Sequence, residues 1–466
     1  MTHALGVALT RVTVVTAKRS IDIALPEDVI AADLVPYLLQ HVGEEAADTG
    51  ERHGGWLLRR HGGAVIDSTK TLATQRVMDG EVLHLVAGQS EWPEVEYDDV
   101  VESIASGSRR YGRSWGGAAT RRCSLAAAAI ILLAGLGAAL TFTSPWWAAG
   151  LALLGAAGVL LAAGVALARA VGDAEAGAVI AACATAYAFA GGWLVAGPEG
   201  LPFTEFGAAQ LTLGSTAALV FGALGYVGVP AKARWFAAAI LGGLWGVLGG
   251  LLGGTMTPDG AAAVVLTVSL VLLPAYPLLA IRLGRIPLPE LPQRSSDLFN
   301  DAEQPPVANI YAAAARTDEL LSGFLIAVSG AAVVCALVLT GEGSTTRILM
   351  VLAAALSLLL RARLFAVARQ RVPLLLAGGF AGLLCVADRV IAAETNGTRM
   401  LLLFGILAVA LLVVYGGLTY SKKTPSPYLG RIADIFDVIS VLALVPFAFY
   451  ITGFYTHVQE LMAGIG

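Results

Sequence analysis

Few residues of this chain have the means for chemistry, and most stand apart from its apolar bulk. Four ionisable side chains fall at the ends of long apolar runs: Asp388 and Arg389 in "CVADRV", and Asp434 and Asp437 in "RIADIFDVIS". A charge held in hydrocarbon is costly, so such residues mark an ion path, a proton relay or an internal pair. Their place toward the ends of the runs favours anchoring or pairing over conduction. The six histidines, His3, His41, His53, His61, His84 and His457, all avoid the apolar runs, which argues against a zinc site or a histidine relay in a membrane. Cys123, Cys183, Cys335 and Cys385 sit within or beside apolar runs at no metal-like spacing and read as small packing residues. There is no GxxxxGK[ST] phosphate loop, no HExxH and no GxSxG, which excludes ATP hydrolysis through a P-loop and gives no hydrolase motif. The expectation is a chain with no catalytic residue, no cofactor and no metal.

Glycine carries the strongest pattern inside the apolar runs. "LGGLWGVLGGLLGG" places Gly242, Gly246, Gly250 and Gly254 four residues apart, and the preceding run adds Gly214, Ala218 and Gly222. Helices lacking side chains on one face approach closely and associate by van der Waals packing. A helix-packing seam is predicted there, within one chain or between chains. Pro274 and Pro277 in "LLPAYPLL" read as a kink rather than the broken helix of a transporter, because no charged residue accompanies them in the sequence.

These residues require a frame of many helices. The chain has 466 residues, 57% of them hydrophobic and only 14% charged, far below the ~25% charged residues of a soluble domain. Eleven apolar segments of bilayer length are predicted at 123–142, 147–168, 177–196, 207–228, 235–254, 261–281, 320–340, 347–366, 373–393, 400–420 and 435–455. No signal peptide opens the sequence, so the amino terminus is expected in the cytoplasm. The outer joins then hold only Arg347, Arg389 and Arg399. The inner joins hold Arg169, Lys232, Arg234, Arg282, Arg285, Arg294, Arg316, Arg361, Arg363, Arg369, Arg371, Lys422, Lys423 and Arg431. This asymmetry is what the positive-inside rule requires. It leaves a tail at 456–466 outside and a cytoplasmic loop of 38 residues, 282–319, whose proline-rich start runs extended and whose "VANIYAAAARTDELL" reads as a helix leading into the seventh span.

Ahead of the spans, residues 9–88 alternate as a soluble α+β module: strands at "TRVTVVT" and "SIDIAL", a helix at "VIAADLVPYLLQHV" starting near Asp33 so that Pro36 falls in its first turn, then "GWLLRR" and the closing strand "EVLHLVA" after the tight turn Asp79-Gly80. Residues 89–122 form a charged linker. Its acids, Glu91, Glu94, Glu96, Asp98, Asp99 and Glu102, are followed by Arg109, Arg110, Arg113, Arg121 and Arg122. The linker reads either as a solvated tether whose arginines face anionic headgroups or as a partner-binding helix at 100–108.

The strand order with "VMDGEVLHL" resembles the ubiquitin-like β-grasp fold. Conjugation needs a free terminal Gly-Gly, whereas this chain runs on through "GQSEWPEVEYDD", so a docking surface is what remains. The whole chain, a β-grasp module, a charged linker, eleven spans and a loop reading "RIPLPELP" then "ARTDELLSG", resembles the EccD family of type VII (ESX) secretion systems. The resemblance implies a non-enzymatic structural subunit of an inner-membrane core complex, multi-pass in the plasma membrane. Its partners would be EccB, EccE and the FtsK-type motor ATPase EccC, with a second copy of itself around a lipid-filled space. Small helical WxG-type proteins would be the cargo, with no nucleic acid and no cofactor. Docking of the ATPase would fall to the exposed sheet face or the rim His61, Gly62, Gly63 to Ile66, with the acidic run Glu94, Glu96, Asp98 and Asp99 contributing. A secondary transporter with a regulatory soluble domain, or a receptor acting alone, are the other readings. The first predicts a midplane site with charged or discontinuous helices.

Overall fold

Period-two alternation makes half-buried strands, and the computed structural model shows how four of them close. It describes residues 9–16, 20–42, 56–60, 64–87, 115–139, 141–142, 144–286, 306–341, 344–420 and 426–463. The chain divides into two units, Met1–Trp115 and Gly116–Gly466. In the first, strands β1 (Leu9–Val15), β2 (Ser20–Pro26), β3 (Trp56–Arg60) and β4 (Glu81–Ala87) form one sheet in the order β2-β1-β4-β3. The first and last strands run parallel, with Val14 beside Leu83, and the two outer pairs are antiparallel. Val12, Val14, Leu25, Leu58, Leu83 and Leu85 point to one side and meet Ala31, Leu34 and Leu38 of helix α1 (Ala31–Val42). The turn before β4 is fixed by Gly80 at φ +83, a value that glycine adopts freely. The Gly80 N–H donates to Arg11 O, and the Arg11 N–H donates to the Asp79 carboxylate, both at 2.6 Å.

One local expectation shifts. Helix α1 begins at Ala31, not near Asp33, so Pro36 lies inside it. The carbonyls of Lys70 and Ser68 accept from the N–H groups of Ala31 and Ala32 at 3.0 Å. These bonds satisfy donors that a free helix start leaves open, so the helix starts two residues earlier and takes in the proline.

The second unit is helical. Its elements are α2 (Gly117–Ala139), α3 (Trp146–Ala166, extended by a π turn over Leu167–Val171), α4 (Ala174–Val195), α5 (Ala208–Gly228), α6 (Ala233–Gly253), α7 (Pro258–Val271), α8 (Ala275–Gly284), α9 (Val307–Leu339), α10 (Thr345–Arg361), α11 (Ala368–Ala392), α12 (Asn396–Tyr420), α13 (Pro427–Ile451) and α14 (Phe454–Ala463). Among the described residues nine helices are long and apolar enough to cross a bilayer, or ten when α7 and α8, bent by 67°, count as one span. The predicted 347–366 segment falls on α10, whose 17 residues reach about 26 Å, short of the ~30 Å hydrocarbon core. It ends early because Ala362–Leu364 tightens into a 3-10 turn. Loop residues 307–319 do form the start of one continuous helix, α9, of 33 residues. The predicted tail is not loose at its start: α14 follows Gly453, whose φ of +74 turns the chain after α13.

Burial inside the helical unit follows three sets of contacts, the smallest joining Leu161, Ala181, Val229 and Phe236. Trp146, Leu153, Tyr187, Leu194 and Phe206 pack α3 and α4 with the loop before α5. A larger core takes Leu241 and Trp245 from α6, Leu266 and Leu270 from α7, Phe324 and Val328 from α9, Met350 and Leu358 from α10, Leu374 from α11 and Leu444 from α13. Helix α12 buries no residue at all within the chain.

Candidate functional site

The glycine pattern resolves into two different jobs. Each four-residue step on an α-helix turns about 400°, so a strict i, i+4 row drifts roughly 40° per step. Gly242 to Gly254 therefore cannot all face one neighbour. Gly246 and Gly250 sit against α5: an added Cβ at Gly250 would lie 2.8 Å from Ala208 O and Thr212 N, and one at Gly246 would meet the Ser215 side chain. Gly243 joins them, 2.8 Å from Ser215 O by the same measure. On the facing helix Gly222 and Gly225 approach Ile240 and the Phe236 ring, while Gly214 turns the other way onto Phe189 O of α4. The close approach of α5 and α6 thus lies within one chain. Gly242 stands clear, with only Ala327 Cβ at 4.0 Å, and Gly254 lies past the end of α6 as its cap. Those two take no part in the seam.

The break between α7 and α8 has a charged partner that the sequence did not reveal. Pro274 has no N–H, so it cannot donate to the carbonyl of Leu270 four residues earlier. The Arg361 guanidinium of α10, in a residue only 8% exposed, donates to that carbonyl at 2.6 Å. Arg361 Nε also pairs with the Asp437 carboxylate of α13 at 3.0 Å, and Ser357 Oγ donates to the same carboxylate at 3.1 Å. One arginine thereby joins three elements and gives the buried Leu270 carbonyl, which also accepts from the Leu273 N–H at 3.2 Å, a second donor. The expectation of a kink without a charged companion is corrected: the arginine is far away in sequence and adjacent in space. An arginine inside the apolar run "LSLLLRARLF" was the available signal.

The other charges near the helix ends are also paired. Arg363 meets Asp434 and donates to Gly430 O at 3.1 Å. Asp388 accepts from the Gly341 N–H at 3.0 Å and pairs with Arg389. In "ARTDELLSG", Glu319 pairs with Arg234 of α6 at 3.2 Å and with Arg369 of α11 at 3.1 Å, and Asp318 pairs with Arg369 and accepts from Gln370. The same stretch puts Gly323 against Arg234 O, 2.5 Å from an added Cβ, and Thr317 against Gly284 of α8. The motif is a clamp among α6, α8, α9 and α11. Arg121, expected to face headgroups, instead pairs with Asp173 at 2.5 Å and Glu175 at 2.8 Å, and Lys232 reaches Glu175 at 3.1 Å. The Ala176 N–H first, and Arg121 second, hold the Asp173 carboxyl below its ordinary range. Arg169 donates to the carbonyls of Val227 and Gly228, both at 2.8 Å, the bonds a cation makes to the open carbonyls of a helix end.

Of the residues expected to dock a partner, His61, Gly62, Gly63, Glu94, Glu96, Asp98 and Asp99 lie outside the described residues. Ile66 is 2% exposed within the module's core. It is held there because its N–H donates to Leu58 O at 2.8 Å, so it braces the hairpin and offers no surface. The outer sheet face carries Leu57 and Arg59 of β3 and Val82, His84 and Val86 of β4, all half-buried. Leu57 stands opposite Val86, and Arg59 opposite His84. Among the described residues no group of three or more His, Cys, Asp or Glu could hold a metal.

Residues 120–461 match the family model for the EccD-like transmembrane domain. Residues 9–85 match that for YukD, a protein of the WXG100 protein secretion system. No curated protein matches the chain. Among solved structures it is similar to protomer 1 of the ESX-3 core complex, with TM-score 0.59 and 19% identity over 96% of this chain and 100% of that one. It is also similar to a chain of a MycP5-free ESX-5 inner membrane complex, with TM-score 0.56 and 18% identity over 89% of this chain and 100% of that one. At these identities the likeness is one of fold, and it runs through both units. With a family match across most of the helical unit and a ubiquitin-like secretion-system module before it, the chain belongs to the EccD family.

Proposed function

We propose that the chain is a non-enzymatic structural subunit of a type VII secretion complex in the plasma membrane. The observation that carries this reading is the tandem of two matches, a YukD-type module at 9–85 and an EccD-type domain at 120–461. In this reading eleven spans cross the bilayer, with α7 and α8 as one broken span and α10 as a short one. The amino-terminal module lies in the cytoplasm and docks an FtsK-type ATPase of the EccC kind. EccB and EccE type subunits and a second copy of this chain complete the core, and WxG-type cargo passes through the assembly. Helix α12, with no buried residue, is where such neighbours find apolar surface.

The broken helix and its buried arginine favour one competing reading, a secondary transporter, since discontinuous helices build such sites. The arginine speaks against it on closer view. Arg361, Asp437, Ser357 and the Leu270 carbonyl satisfy one another, which is how a structural tie looks and leaves no group held ready for a substrate. The test is affinity purification of the tagged chain with its native lipids. Membership in a core complex predicts stoichiometric recovery of an FtsK-type ATPase and further membrane subunits. Recovery of the chain alone, together with solute uptake by proteoliposomes that contain it, supports the transporter.

A further inference from the structure

Four glycines of α6 and α9 meet no atom closer than 3.3 Å when a Cβ is added. An added Cβ at Gly330 meets nothing within 4 Å, and one at Gly242 meets only Ala327 Cβ at 4.0 Å. At Gly249 the nearest atoms are side-chain methyls of Val265 and Leu211 at 3.6 and 3.9 Å, and at Gly253 the Cβ of Ala208 at 3.3 Å. No backbone crowds any of them, unlike Gly243 and Gly250. All four line one cavity of about 550 Å³, walled by α4 to α7 and α9. What their missing side chains do is leave space.

We propose that this cavity binds a single acyl chain of a membrane lipid. Its wall carries Phe189, Trp193, Trp245, Val265, Ile326 and Val334, and no Asp, Glu, Lys or Arg. The Ser215 hydroxyl and the Trp245 indole N–H are too few polar groups to replace the water of a charged solute. The cavity opens to the flank of the bundle, where Val334 of α9 is 56% exposed and Phe189 of α4 is 38% exposed. Both helices qualify as membrane spans, so the medium at that opening is hydrocarbon. Size decides between a lipid chain and a neighbouring helix. A helix with its side chains, about 10–12 Å across and 5.4 Å per turn, displaces roughly 400–600 Å³ per turn. The cavity would take about one turn, whereas a spanning helix has five or six. One flexible chain fits such a volume, which lies within the ~300–1,000 Å³ range of small-ligand sites. The site depends on neither the subunit role nor the orientation of the chain.

The full-length chain in nanodiscs of phosphatidylethanolamine and phosphatidylglycerol tests this, doped with a phosphatidylcholine that carries a diazirine near the end of one acyl chain. After illumination, mass spectrometry measures labelling of peptides spanning 242–253 and 326–338 relative to α12, which meets bulk lipid. The expected result is at least fivefold greater labelling in the cavity peptides. Gly330→Leu, which fills the space without touching backbone, brings them down to the α12 level, as does Val334→Trp at the opening. Cavity labelling no greater than α12 in the unchanged chain, or unchanged by either substitution, overturns the proposal. So does an interchain disulfide from Val334→Cys with the cavity peptides unlabelled, which would place a second copy there instead.

Discussion

Replacing Arg361 by leucine leaves the Asp437 carboxylate without its cation. Breaking a buried pair from one side costs about 3–5 kcal/mol, so Arg361→Leu should lower unfolding stability in detergent by that order. Arg361→Leu with Asp437→Leu should recover most of it, because no lone charge remains; a double variant as weak as the single one would remove the pair from the account. The glycines are graded as sharply. Gly250→Leu drives a side chain into Ala208 O and Thr212 N. Backbone does not yield as a side chain does, so a loss above the ~1–3 kcal/mol of ordinary overpacking is expected. Gly242→Ala and Leu244→Ile, away from that contact, should unfold within about 0.5–1 kcal/mol of the unchanged chain. Equal effects at Gly242 and Gly250 would mean the seam is compositional. The sequence pointed to these glycines by spacing alone, and spacing could not say that the row drifts off the contact at both ends.

At the scale of elements, pattern was readable wherever periodicity is local. The alternation in "TRVTVVT" and "SIDIAL", and Asp79-Gly80 before the last strand, led directly to the β-grasp order. The helix at 31–42 was read too short because the carbonyls that cap it come from Ser68 and Lys70, thirty-odd residues on. The break at Pro274 was visible, while its partner ninety residues away was not. Inside the loop that caps α1, Lys70 first and then Thr69 hold the Asp67 carboxyl well below its ordinary range. A depressed carboxylate adds stability that is present above its unfolded value of 3.8 and is lost as pH falls toward the folded value. The group is exposed, so the effect is small. The isolated module 9–88 should unfold at a pH-independent denaturant midpoint from pH 8 to about 5, then weaken below 4. Lys70→Ala should flatten that weakening, because less of the carboxylate's depression remains to be lost. A midpoint that already slides between pH 8 and 5 would point to some other group.

At the scale of the molecule, composition announced a polytopic membrane protein and local periodicity a soluble module ahead of it, and the family matches agree over both units. Orientation rests on the arginine and lysine asymmetry. Single cysteines at Ser20 and Ser295 should resist a membrane-impermeant thiol reagent in intact cells, while those at Ser144 and Thr456 react once the envelope admits the reagent. Labelling at Ser295 would invert the topology. The central claim is that a β-grasp module with no free Gly-Gly end, carried by a membrane domain without a phosphate loop, is a dock for a motor. Deletion of residues 1–88 tests it most directly, since the apolar length of the spans suffices for insertion. The measurement is co-purification of the FtsK-type ATPase with full-length and truncated chains, alongside export of WxG-type cargo into the medium. The account predicts a truncated chain that is inserted in the membrane, recovers at most a tenth of the ATPase and exports no cargo. Undiminished capture and export by the truncated chain would contradict it.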